Sequence, residues 1–304
     1  MSNPRPSIIV ITGPTAVGKT ALALAVARHL DAEIVSADSR QIYHYMDVGT
    51  GKPTTQERAA VPHHMVNVAY PDRPYSIVDY RQGGERALAD IARRGRRALV
   101  VGGSPHYLAA LLDRLEPPPV NLALRAWLEQ ADGQHPGRLD AWLRALDPAS
   151  ADRIETRNRR RVIRAIEATL TVGRPFSTAQ GAPRAIDARW FGLRMERPAL
   201  YARVDRRIAQ MIEAGWLNEV RILGMMGFGA ALPSLSATGY PELLEVLQGE
   251  QSLDSAVERI RYATHAFVRR QETWLRRESR IHWLDSEADN LVGAFMAAVD
   301  GGTA

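Results

Sequence analysis

Apolar residues along the chain follow two alternating rhythms, short β-branched runs and longer stretches with the period of a helix. "SIIVIT" (Ser7 to Thr12), "AEIVSADS" (Ala32 to Ser39), "RALVVGGS" (Arg97 to Ser104), "RWFGLRM" (Arg189 to Met195) and "RIHWL" (Arg280 to Leu284) read as strands. Between them lie helical patterns reaching about Leu30, from about Ile77 to Arg94, over "PHYLAALLDRL", and from about Ser252 to Glu278. Strands that alternate with helices imply a parallel sheet with helices packed on it. Pro117, Pro118 and Pro119 break the pattern, and Asn121 to Pro183 reads as wholly helical. The chain is thus expected to hold a core in two parts, 1–117 and 189–304, interrupted by a small all-helical insert at 118–188.

The turn after the first run gives the core its first chemistry. "GPTAVGKT" spaces Gly13, Gly18, Lys19 and Thr20 as a phosphate-binding loop, with Thr15, Ala16 and Val17 supplying backbone N–H groups. Its amides point into a concavity that fits a diphosphate, Lys19 reaches the terminal phosphate, and the Thr20 hydroxyl suits Mg²⁺. The fold class is therefore α/β, a P-loop NTPase-like parallel sheet core with helices on both faces and the helical insert. The loop certifies a polyphosphate and does not certify ATP. Asp38 ends the second strand, at the sheet edge where ligands bind. It reads either as a cap or Mg²⁺ ligand of an ordinary kinase, or as a general base. Ser39 and Gln41 beside it suit the edge of a nucleobase. In "VVGGSPHY" two glycines let backbone approach a ligand near the Ser104 hydroxyl, and His106 reads as structural.

Composition narrows the class. With 45% hydrophobic and 24% charged residues the chain is globular, with no run of the length a membrane helix needs and no recognisable signal peptide, so the cytoplasm is expected. There are no cysteines, which excludes disulfides and thiolate metal sites. Of 39 basic residues only Lys19 and Lys52 are lysines, and a lysine in so arginine-rich a chain marks a place for a compact ammonium. Six arginines crowd "DRIETRNRRRVIRAIE": Arg153, Arg157, Arg159, Arg160, Arg161 and Arg164. Acids within that segment are too few to pair them, leaving either a solvated face or a surface for nucleic-acid phosphates. Arg269, Arg270, Arg276 and Arg277 add charge near Trp274, which reads as core.

Together these segments resemble the bacterial tRNA dimethylallyltransferases, from about Ile8 to Trp283. The resemblance rests on "GPTAVGKT", "DSRQIY" (Asp38 to Tyr43), "MDVGTGKP", "VPHHM", "RVIRAIE", "LYARVDRRIAQMIEAGWLNEV", "GYPELLEVLQG" and "RRQETWLR". It implies transfer of a dimethylallyl group from dimethylallyl diphosphate to N6 of the adenine 3′ to the anticodon, with Mg²⁺, by a monomer. By resemblance, Gly13, Thr15, Ala16, Val17, Gly18, Lys19 and Thr20 hold the donor diphosphate, Asp38 is the base, and Arg203 or Arg207 reaches the diphosphate. Ser104 stands near the donor channel in place of the family's Thr. The tRNA anticodon arm would meet Asp38, Ser39, Arg40, Gln41, Ser104, Arg125, Arg160, Arg161, Arg164 and Arg270. The chain departs from the family at Pro105, His106, His265 and Ala266. Three alternatives stay open: a prenyltransferase acting on free adenine nucleotides, a P-loop small-molecule kinase, and a tRNA-binding protein without catalysis.

Overall fold

The computed structural model describes residues 8–114, 117–178 and 185–301. Two compact units emerge, one formed by the chain up to Leu112 together with Ile186 onward, the other by Asp113–Ala185.

The larger unit opens with β1 (Ile8–Thr12), α1 (Lys19–Ala27), β2 (Ala32–Ser36), α2 (Thr55–Ala60), β3 (His63–His64), α3 (Ile77–Arg93), β4 (Arg97–Val101) and α4 (Pro105–Leu112). The smaller unit holds α5 (Leu122–Gln134), α6 (Arg138–Leu146), α7 (Pro148–Arg153) and α8 (Arg159–Val172). The larger unit resumes with β5 (Arg189–Arg194), α9 (Arg197–Glu213), α10 (Trp216–Met225), α11 (Tyr240–Leu247), α12 (Leu253–Leu275), β6 (Ile281–Asp285) and α13 (Leu291–Asp300). Ile186 N donates to Leu112 O at 2.7 Å, so the chain re-enters the larger unit where it left.

All six strands are parallel, in the order β3-β2-β4-β1-β5-β6. Every residue of β1 and β2 is buried, as expected when helices cover both faces. Register aligns the strand ends: Ile11 and Ser36 both lie opposite Val101, and Thr12 lies opposite Gly192. The loops carrying chemistry therefore leave the sheet side by side.

Three details differ from the sequence reading. The short edge strand β3 was not legible, because His63 and His64 lack the apolar alternation of a strand. The last long helix begins after Ser252, whose hydroxyl caps Ser255 N, and ends at Leu275. α1 stops at Ala27, and Leu30 belongs to the turn after it.

The smaller unit has its own core of Leu128, Leu139, Leu143, Ile154, Val162, Ile163, Ala165 and Ile166. Asp147, nearly inaccessible, caps α7 through Ser150 N and also accepts from Ser177 N and Oγ. Burial raises its pKa, but those hydrogen bonds outweigh burial and hold it at about 2. Among the described residues no helix is long and apolar enough to cross a membrane.

Candidate functional site

Gly18 precedes α1 at the cap position with a φ of 111° that only glycine adopts without strain, and no side chain caps the helix. Its first-turn N–H groups are therefore left for an anion. Ala16 also sits in the left-handed region at φ 67°, strain of the kind loops hold at binding sites. Lys19 lies across the loop, donating to Gly13 O at 3.0 Å and Pro14 O at 2.7 Å. Part of its surface is open to solvent, yet protein closely surrounds the ammonium, and burial lowers its pKa to about 8. Asp38 acts against that shift and Arg207 with it.

Gln271, in "RRQETW", holds the loop in place. Its Oε1 accepts from Thr15 N at 2.9 Å and Thr15 Oγ1 at 3.1 Å, and its Nε2 donates to Gly103 O at 2.9 Å. A methyl group on Gly103 would lie 2.6 Å from that amide nitrogen and 2.8 Å from Gly13 O, which explains the second glycine after β4. The spacing could not assign Gln271, because its two partners lie far away in sequence.

Two cavities meet at the loop, sharing Ala16, Lys19, Thr20 and Arg207. The smaller, about 320 Å³, is lined by Gly18, Arg203, Arg206, Arg207 and Gln210. Those α9 positions recur every three or four residues and so share one face. Sequence offered Arg203 or Arg207; both line this cavity, with Arg206 between them. Burial lowers the pKa of Arg207, opposed by Asp38 and reinforced by Arg203. A methyl on Gly51 would meet Arg207 Nη2 at 1.8 Å, so the "DVGTGK" loop is glycine-rich where this guanidinium passes.

The larger cavity, about 480 Å³, brings Thr15, Asp38, Ser39, Arg40, Gln41, Ser104 and Arg270 together with an apolar wall of Val204, Ile208, Met211 and Trp216. Asp38 Oδ1 accepts from Arg40 N at 2.8 Å and Gln41 N at 3.4 Å, which fixes the carboxylate's orientation. Gln41 is held by Ser36 Oγ and Gly51 O, and Arg40 by the carbonyls of Pro233 and Ser234. Arg270 lies 5.7 Å from the Phe267 ring centroid, and both line the cavity. Val17 is fully buried beneath the loop. His106 and Pro105 are at the same cavity, whereas His265 lies on α12 against Tyr201 and bonds Asp205 at 2.9 Å. Trp274 packs against the core.

Among the described residues no three His, Asp or Glu are grouped to hold a metal ion. A divalent cation here would take Thr20 from the protein and its other ligands from bound diphosphate and water, a donor set that Mg²⁺ accepts.

The smaller unit separates its arginines into two kinds. Arg125 donates to Glu167 Oε2 from both Nε and Nη2, and Arg164 pairs with the same carboxylate while donating to Pro119 O and Pro118 O. Arg159 bonds Asp132 and Asp140. The acids missing from the arginine-rich segment thus come partly from α5 and α6. Arg160 and Arg161 remain exposed, with no ion pair among the described residues.

Residues 41–278 match the family model described as IPP transferase, and residues 6–63 match that described as isopentenyl transferase. A tRNA dimethylallyltransferase of Roseiflexus castenholzii is 46% identical over 291 residues, 94% of each chain. That of Thermomicrobium roseum is 42% identical, covering 93% of this chain and 87% of the relative. The fold matches the full-length tRNA isopentenylpyrophosphate transferase of Bacillus halodurans with a TM-score of 0.70 at 32% identity, over 96% of each chain. It matches a eukaryotic dimethylallyltransferase acting on tRNA with a TM-score of 0.79 at 25% identity, over 96% of this chain and 78% of the other.

Proposed function

The chain belongs to the IPP transferase family, and we propose that it moves a dimethylallyl group from dimethylallyl diphosphate to N6 of the adenine 3′ to the anticodon of tRNA, in the cytoplasm. One observation carries this reading: Lys19, Thr20 and Asp38 line a single cavity together with the apolar side chains of Val204, Ile208, Met211 and Trp216. A prenyl chain needs such an apolar lining beside its diphosphate site.

The diphosphate sits on the loop amides with Lys19, Arg203 and Arg207 around it. These cations stabilise the negative charge that grows as the C1–O bond breaks. Mg²⁺ held at Thr20 would add charge neutralisation on the diphosphate. Val204, Ile208, Met211 and Trp216 enclose the five-carbon chain and keep water from the allylic cation. The adenine amine is a weak nucleophile because its lone pair is delocalised into the ring. As its nitrogen bonds to C1, Asp38 takes the N6 proton and diphosphate leaves with the electron pair. An adenine within a hairpin loop reaches so deep a cavity only when turned out of its stack.

The test offers dimethylallyl diphosphate with either a tRNA anticodon-arm hairpin or AMP. Product on the hairpin, with Asp38→Ala lowering kcat by about 10²–10⁴-fold while hairpin binding persists, is the expected outcome. Product on AMP alone, or ready ATP hydrolysis without prenyl transfer, would overturn the reading.

A further inference from the structure

The loop between β2 and α2 returns beside the segment after β3, and together they carry three aromatic rings that the reaction does not use. Tyr43 bridges Ala69, His44 N donates to Ala69 O at 2.8 Å, and Val68 N donates to Ile42 O at 2.7 Å. His44 stacks on Tyr70 with centroids 4.6 Å apart and planes at 20°, and Tyr45 lies 5.9 Å from Tyr70. Tyr45 and Tyr70 are 43% and 48% exposed, beside Val68 at 42%.

The rings stand on a braced support. Lys52, buried below, donates to Tyr43 O at 2.6 Å, Asp47 Oδ1 at 2.5 Å and Asn67 Oδ1 at 2.6 Å. One ammonium thereby ties both segments together, with three acceptors for its three protons. Glu219 accepts from the N–H groups of Asp47, Val48 and Gly49 and fixes the loop's far end.

Tyr45 has φ 66°, where a Cβ crowds its own backbone. Tyr45 keeps this conformation while 43% of its surface stays exposed, so packing against Tyr70 accounts for it only in part. Hydrogen bonds link the segment that carries Tyr70 to the lining of the larger cavity. Pro71, next to Tyr70, accepts from Ser234 Oγ at 2.8 Å, Arg40 binds the carbonyl of the same serine, and Arg40 and Ser236 line that cavity.

On the reading of tRNA as acceptor, we propose that His44, Tyr45 and Tyr70 form a stacking platform for an unpaired anticodon-loop base neighbouring the adenine turned into the cavity. Solvent-facing aromatic rings are how proteins hold unstacked RNA bases. A turned-out adenine leaves its neighbour without a stacking partner, and the platform supplies one.

Steady-state prenylation of the anticodon-arm hairpin tests this with Tyr45→Gly, Tyr45→Phe and Tyr70→Ala. Tyr45→Gly removes the ring and also releases the backbone strain at φ 66°, and thermal unfolding of the variant reports whether the fold is kept. Expected is a rise in hairpin KM on the order of 10-fold for Tyr45→Gly and Tyr70→Ala, the size of one lost base stack. The KM for dimethylallyl diphosphate and kcat should stay within about 2-fold, and Tyr45→Phe should behave as the parent, since its ring still stacks. Unchanged hairpin KM in both ring-deleted variants overturns the platform while leaving the proposed function standing. An equal rise in the KM of dimethylallyl diphosphate also overturns it, by assigning the rings to the donor site. A parent protein inactive on the hairpin and active on AMP removes the proposed function and the platform together.

Discussion

The arginines of α9 and those of the helical unit are the same side chain put to opposite uses. In the helical unit, Arg125 and Arg164 share the inaccessible Glu167, and Arg159 spans Asp132 and Asp140. Their charge is spent inside the unit, joining α5, α6 and α8. On α9, Arg203 and Arg207 line a cavity beside the phosphate loop with no ion pair among the described residues. Burial pulls the pKa of Arg207 down and Asp38 only partly offsets it. A desolvated cation without a paired carboxylate marks a candidate anion site, the role proposed for Arg207 above. Counting arginines therefore says little about a binding surface, and the position of the nearest carboxylate says much more.

The widest separation should come from Arg207→Met. Loss of one preorganised donor to the departing diphosphate is expected to lower kcat by about 10²–10³-fold. Thermal unfolding should show no loss of stability, because half-buried Arg207 has no ion pair among the described residues to lose. A variant that unfolds more easily and keeps its kcat would place Arg207 with the structural arginines and dissolve the contrast.

The opposite pattern is expected of Glu167→Ala. It strands Arg125, Arg164 and the N–H of Asn121, which donates to Glu167 Oε1 at 2.7 Å. The cost to the helical unit should be about 3 kcal/mol, the upper range for losing hydrogen bonds to a buried charge. Acid reports the same group. Burial raises the Glu167 pKa, but Arg125, Asn121 and Arg164 together hold it below the ordinary 4.5. A carboxylate with a lowered folded pKa gives its full stabilisation above the unfolded value and loses it as pH falls through the folded one. Asp147, at about 2, extends the loss from pH 3.8 downward. Urea melts of parent and Glu167→Ala at falling pH should converge below about pH 4.5, while Asp147 keeps both acid-sensitive. Curves that stay parallel would show that Glu167 is not charged in the folded unit.

Much of this was legible in the sequence, and the rest failed for a common reason. "GPTAVGKT" and Asp38 are local signals, since the loop's conformation and the strand end are written in adjacent residues. The two lysines were legible too: Lys19 lies on the loop, and Lys52 meets three acceptors that a guanidinium's planar fork would not match. What sequence could not give were pairings across the fold. Gln271 joins Thr15 to Gly103, and Glu167 claims Arg125 from another helix. Within "DRIETRNRRRVIRAIE" the arginines look alike, and only the packing of α5 and α6 against α8 separates Arg159 from Arg161.

Arg161 offers the smallest and most discriminating measurement. It is exposed in the first turn of α8, where a cation is disfavoured by the helix dipole, and no carboxylate holds it. Arg161→Ala should therefore leave unfolding within about 0.5 kcal/mol of the parent, as at other exposed sites. If its guanidinium meets an RNA phosphate, hairpin affinity should fall and the slope of log K against log salt should decrease in magnitude by about one. Arg159→Ala is the counterpart, destabilising the helical unit through the loss of Asp132 and Asp140 before any RNA is added. An unchanged salt slope for Arg161→Ala would leave this arginine a solvated surface charge.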